Sequence, residues 1–109
     1  MTATYKVLGQ SNPAATTDTT LYTAPAVTST VVSTLTICNQ AATPASFRIA
    51  IRPAGATLAP QHYLAFDSAL NANDTVALTL GITLATSDIV TIQASTATVS
   101  FSLFGSEIA

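Results

Sequence analysis

Apolar and polar residues alternate along most of this chain. Phe47, Ile49 and Ile51 fall on one side of a zigzag, with Arg48, Ala50 and Arg52 on the other. Strict alternation of this kind predicts a strand with one buried and one wetted face. The same period places Val99, Phe101 and Leu103 opposite Thr98, Ser100 and Ser102. It places Val76, Leu78 and Leu80 opposite Thr75, Ala77 and Thr79, and Val90, Ile92 and Ala94 opposite Thr91 and Gln93. In Ser29 to Asn39, Val31, Leu35 and Ile37 are expected to share a face, with Ser33 weakening the stripe. His62, Leu64 and Phe66 oppose Tyr63, Ala65 and Asp67, and Thr4 to Leu8 and Thr20 to Thr23 are weaker strands.

Turn chemistry separates these segments at Ser11-Asn12-Pro13, Ala24-Pro25, Asn39 to Pro44, Pro53-Ala54-Gly55, Asn71 to Asp74, Ala85 to Asp88 and Ser95 to Ala97. No window carries an i, i+3, i+4, i+7 apolar stripe, so long helices are not expected, and Pro53 to Pro60 has room for one short turn. Gly81 and Gly105 are each expected to end an alternating strand at a bulge or corner. The predicted fold is all-β: one domain over residues 1–109, an antiparallel β-sandwich of about seven or eight strands. Jelly-roll and immunoglobulin-like topologies both fit. The polar stretch Gln10 to Thr19 is expected to form an extended arm within residues 1–20.

Composition changes this picture in one respect. Only three basic and five acidic residues occur, so 7% of the 109 side chains are charged, against about a quarter in an ordinary soluble domain. Twenty residues are Thr, twenty Ala and ten Ser. So few charges on a strand-forming chain point to a surface meant to lie against other protein. Lys6, Arg48 and Arg52 are too few and too scattered for a footprint on phosphate, so no nucleic-acid partner is expected. The mean hydropathy is +0.49, and Thr19 to Phe47 is uncharged, but prolines, amides and hydroxyls interrupt every apolar run. A membrane-spanning helix and a secretory leader are therefore not expected.

Candidate chemistry is sparse. Cys38 is the only cysteine and reads as a small buried hydrophobe. Pairing it with His62, the only histidine, as nucleophile and base lacks any orienting group in the sequence. Ser11 follows Gly9-Gln10, but Pro13 stands where a nucleophile elbow needs glycine. Asp67 and Asp74 are the nearest pair for acid–base work, yet both suit turn capping. Asn71, Asn73 and Asp74 offer three oxygens in four residues, and an Asx turn accounts for them more simply than calcium. Asn73-Asp74-Thr75 has the form of a glycosylation sequon, which means little without a secretory leader. No catalytic residue, metal ligand or cofactor is expected. Arg48 and Arg52 stand out: on one strand face they lie about 13 Å apart, at about 3.3 Å per residue. They are expected either to keep that face wet or to anchor carboxylates on a neighbouring subunit.

The stretches VLGQ, LYTAPAVTSTVVSTLTICN, FRIAIRPAGA, NDTVALTLGITLATSDIVTIQAS and VSFSLFGSEI resemble a family of small virion proteins of tailed bacteriophages, cyanophages among them. The most distinctive parts are the RPAG turn at Arg52 to Gly55, LGITL-x-x-SD at Leu80 to Asp88, and FGSEI at Phe104 to Ile108. The resemblance implies a β-sandwich with a structural role in the virion, as capsid cement or decoration, or on a neck, tail or fibre. It implies the major capsid protein as partner and transfers no catalytic residue. Self-association, with a trimer preferred, is expected alongside it. A carbohydrate-binding module for host recognition is the competing class, although Trp is absent and Tyr5, Tyr22 and Tyr63 are dispersed.

Overall fold

In a computed structural model, which describes residues 2–109, the chain forms nine strands and two single 3-10 turns. The strands are β1 (Ala3–Ser11), β2 (Thr19–Thr23), β3 (Ser29–Asn39), β4 (Ala45–Arg52), β5 (Tyr63–Leu70), β6 (Thr75–Leu78), β7 (Ile82–Leu84), β8 (Ile89–Ala94) and β9 (Val99–Ile108). The turn Pro53–Gly55 falls in the segment where one was expected; the second, Pro60–His62, begins at that segment's last residue and takes up His62, which was expected in a strand.

All pairings are antiparallel. One sheet runs β1-β9-β3-β6, with β7 also beside β3; the other runs β2-β8-β4-β5. The order follows from folding one long hairpin. β4 pairs with β5, β3 with β6 and β7, β2 with β8, and β1 with β9, and the doubled ribbon then rolls up so that β3 meets β9 and β4 meets β8. That path is a jelly roll, which decides between the two topologies left open by the sequence. Gly81, at φ 67°, interrupts one strand position and splits it into β6 and β7. Leu35, Ile37, Phe101 and Leu103 of the first sheet share a buried core with Phe47, Ile49, Val90 and Ile92 of the second.

Alternation departs from expectation in β3, in β5 and just beyond β6. In β3, Val32 pairs with Gly105 and Thr34 with Phe104, so Ser33 is an extra, bulged residue. Facing reverses across it: Thr30 and Val32 point inward before the bulge and Leu35 and Ile37 after it, leaving Val31 exposed. In β5, Leu64 and Phe66 are exposed, because the strand lies at the sheet edge and bulges against β4. Leu80 lies past the end of β6 and is exposed.

Gly105 lies inside β9 rather than at its end. Leu8 of β1 is bulged just as Ser33 of β3 is, so β9 is flanked by bulges on both edges around Phe104. A Cβ at Gly105 would stand well inside contact distance of the Val31 carbonyl oxygen. Residues 12–18 cross from one sheet to the other and are fastened to the β8–β9 turn. The Asn12 amide donates to the carbonyls of Ala97 (2.9 Å) and Val99 (2.8 Å), and Thr16 N–H donates to that of Ala94 (2.7 Å).

Polar side chains close both ends of the sandwich. At one end the Asn39 amide, 1% exposed, donates to the carbonyls of Thr43 (2.8 Å) and Asn71 (3.2 Å). Its oxygen accepts from Ala41 N–H and the Thr98 hydroxyl, each at 3.1 Å. One buried side chain thus ties three connections together. At the other end the Tyr22 hydroxyl donates to Glu107 Oε2 (2.5 Å) and shares a 2.8 Å bond with Thr30 Oγ1, while Lys6 Nζ lies 3.1 Å from Glu107 Oε1. Burial, then the bond to Glu107, pushes the Tyr22 phenol up to about 12. The Tyr22 hydroxyl is the main group holding the Glu107 carboxyl below the ordinary carboxylate range; Lys6 adds to it, and partial desolvation opposes both.

Candidate functional site

The outer face of the four-stranded sheet carries the most organised cluster of interaction-prone side chains. On β5, Ala65 pairs with Ile49 and Ser68 with Phe47, so Phe66 and Asp67 together oppose the single residue Arg48. Asp67 takes φ 50°, a left-handed conformation that Asp tolerates better than most residues. The bulge turns its carboxylate onto the guanidinium, with Arg48 Nε donating to Oδ1 at 2.7 Å and Nη2 to Oδ2 at 3.2 Å. The Arg48 carbon Cζ lies 4.0 Å from the Phe66 ring centroid. The Tyr63 ring meets Phe66 edge-on at 4.9 Å between centroids. Arg48 therefore holds the Asp67 carboxyl below its usual range, and the carboxylate holds the guanidinium more firmly charged.

The bulge assembles an exposed phenyl ring, a guanidinium fixed by a two-point ion pair, and a second aromatic bracing the first. Two of the five Arg48 N–H groups serve Asp67. Phe66 is 56% exposed, and Leu64 beside it on β5 is also open to solvent. Beyond Arg48 a cleft of about 340 Å³ runs between β4 and β8, bordered by Ser46, Gln93, Ser95 and Thr16.

Arg52 is held differently. Its Nε donates to the Ala56 carbonyl (2.7 Å) and its Nη2 to that of Gly55 (3.2 Å), closing the loop after β4. The Asp88 carboxylate accepts the N–H groups of Ala54 and Ala85, each at 2.8 Å. The RPAG turn and the end of the LGITL-x-x-SD segment thus meet at one side chain. The third distinctive segment, FGSEI, supplies Gly105 at the flanked bend and Glu107 at the sandwich end.

The remaining candidates are dispersed. Cys38 is a half-buried position of β3 in the five-stranded sheet, whereas His62 precedes β5 and its Nδ1 accepts Ala59 N–H at 3.0 Å. Asp67 is committed to Arg48, and Asp74 lies before β6, where its carboxylate accepts Thr75 N–H at 2.8 Å. Asn71 and Asn73 shape the same turn: Asn73 sits at φ 52°, and the Asn71 carbonyl accepts from Asn39. Ser11 is the last residue of β1, paired with Phe101. Among the described residues no three His, Cys, Asp or Glu side chains gather as metal ligands, and no helix is long and apolar enough to cross a membrane. Sequence reasoning missed Phe66 and Leu64 as surface residues; Phe66-Asp67 beside a regular strand was the available sign of a bulge.

No protein-family model matches the chain, and no curated protein matches it. Among solved structures, the chain is similar over 97% of its length to one of infectious bursal disease virus Gt strain, at 14% identity and a TM-score of 0.43. A second, of the Gx strain of that virus, aligns at 16% identity and a TM-score of 0.42 over 97% of this chain. In each case the chain spans 28% of the matched chain.

Proposed function

We propose that this protein is a non-enzymatic structural component of a virion, of the capsid cement type. It binds the major capsid protein through the outer face of the four-stranded sheet. The observation that carries the reading is the cluster of exposed Phe66 and Leu64 with half-buried Arg48, whose charge is neutralised within the chain by Asp67. Arginine and aromatic side chains dominate binding energy at protein interfaces, most of all when their geometry is fixed beforehand. Arg52 borders the same face and anchors through the guanidinium N–H groups its loop leaves free.

The scarcity of charge supports the reading, since covering this surface strips water from few ions. So does the resemblance to phage virion proteins. A cement protein stabilises a shell because it binds the assembled lattice in preference to free subunits. A place on the tail, neck or fibre is the alternative within the same class.

Purified particles of the parent virus test this. Cryo-EM should find copies in numbers comparable to the capsid subunits, and Phe66→Ala or Arg48→Ala with Arg52→Ala should lower occupancy on stripped shells. Copies confined to one ring at the neck or tail move the protein to that site. Absence from particles, or turnover of a small molecule by the purified chain, ends the proposal.

A further inference from the structure

The five-stranded sheet presents a very different outer face. β9 points Val99, Phe101 and Leu103 into the core, so Ser100, Ser102, Phe104, Ser106 and Ile108 point outward. Register carries that facing across the sheet, from Tyr5 and Val7 on β1 through Val31, Thr36 and Cys38 on β3 to Ala77 and Thr83 on β6 and β7. No outward position on these strands is charged. Lys6, the one charge bordering this face, turns to Glu107 at the sandwich end. The two flanking bulges bend the sheet and leave a groove of about 430 Å³ over Gly105, lined by Val31, Ser33, Phe104 and Ser106, with the Lys6 side chain along one edge. Tyr5 stands at its rim, 84% exposed.

We infer that this face is a self-association surface, on which two copies of the chain pack sheet against sheet about a two-fold axis, the Tyr5 ring of each seated in the other's groove. Charge is the first argument. A partner surface without unpaired charge covers this face without stranding a desolvated ion, and the same face of a second copy offers only Lys6, already paired with Glu107. Shape is the second. A projecting ring and an adjacent hollow on one face satisfy the self-complementarity that an isologous contact requires. Area is the third. Four strand positions of about nine residues, at about 4.8 Å between strands and 3.3 Å per residue, give about 570 Å² per copy. With the whole face covered the pair buries about 1,100 Å², just over the roughly 1,000 Å² that a biological interface must clear. The contact closes as a dimer rather than as the trimer expected from the sequence, and it leaves the Arg48–Phe66 face free. It does not depend on the capsid proposal.

Sedimentation of the purified chain decides the matter. The wild type should sediment at twice 11.1 kDa. Val31→Lys or Thr36→Lys should raise the dimer dissociation constant at least tenfold with unchanged circular dichroism. Tyr5→Ser, at a side chain too exposed to matter for folding, should weaken the dimer in the same direction, and Phe66→Ala should leave it intact. A monomer at about 100 μM, a trimer, or a dimer indifferent to Val31→Lys overturns the inference. A monomer whose Val31→Lys variant loses attachment to capsids also overturns it, and assigns the face to a foreign protein.

Discussion

The two ends of the sandwich solve one problem with different chemistry. Where strands leave a sheet, alternation can no longer cover the core, and polar backbone comes together with no ladder to satisfy it. At the Asn39 end a neutral amide does this through four hydrogen bonds to three connections. At the Glu107 end an ionised carboxylate, a phenol and an ammonium link β9, β2 and β1, and Thr30 adds β3. The Asn39 side chain carries no titrating group, whereas the second end is held by groups that titrate. A buried amide stabilises by satisfying backbone, and a half-open ionic cluster stabilises only while its protonation states last.

Asn39→Ala should produce the largest effect, because it leaves two carbonyls and an N–H without their partner around a buried side chain, and the Thr98 hydroxyl with only Thr96. At roughly 1–3 kcal/mol for each unsatisfied buried group, a loss of about 3 kcal/mol or more is expected. That is a fall in Tm of more than about 10 °C by calorimetry. A change under about 1 kcal/mol would mean that the three connections close without it.

At the other end, Gly105→Ala places a methyl against the Val31 carbonyl and forces the flanked bend to open. Overpacking of this kind costs about 1–3 kcal/mol, measurable by urea unfolding. Tyr22→Phe removes the hydroxyl bonds to Glu107 and Thr30 and should cost about 1–2 kcal/mol near neutral pH.

The pH profile separates the ends most sharply. Tyr22 is raised from 10.0 to about 12, so its neutral form is favoured in the folded state. That contribution is complete below pH 10 and disappears as pH climbs through the folded value of about 12. Glu107 is lowered from 4.5, so its contribution is present above that value and is lost as pH falls through the folded one. Tyr22→Phe should flatten the alkaline limb and weaken the acid limb, because Glu107 loses its main donor. Asn39→Ala should shift the whole curve down without changing its shape. An altered alkaline limb in Asn39→Ala would merge the two ends into one network. The smallest effect is expected from Arg48→Ala, on an open face away from both ends, with a Tm within about 2 °C of wild type.

Much of the architecture was legible in the residues. Period two marked strands at Phe47 to Ile51, Val90 to Ala94 and Val99 to Leu103, where β4 pairs with β8, and β9 with β3, in unbroken register over those residues. Asn, Pro and Asp clusters marked the connections, and the Asn71 to Asp74 turn formed from them as expected. The misreadings gather at bulges. Ser33 inverts the facing of β3, and no local signal separates a serine weakening a stripe from one inserted between two pairings. Asn39 read as a turn residue, yet its weight comes from carbonyls at Thr43 and Asn71 and the hydroxyl of Thr98, scattered along the chain. Arg48 was visible as a charge on a strand. Its ion pair with Asp67, nineteen residues on, required the β5 bulge.

By itself the sequence determined that the chain is all-β, where its turns fall and which residues make most of the core. Those properties depend on backbone preference and burial over a few neighbouring residues. Only tertiary structure decided the jelly-roll path, the inverted start of β3, the chemistry of the two ends and the absence of charge from one sheet's outer face. Each depends on which distant strands lie side by side and in what register, and register is fixed by the packing of the whole ribbon.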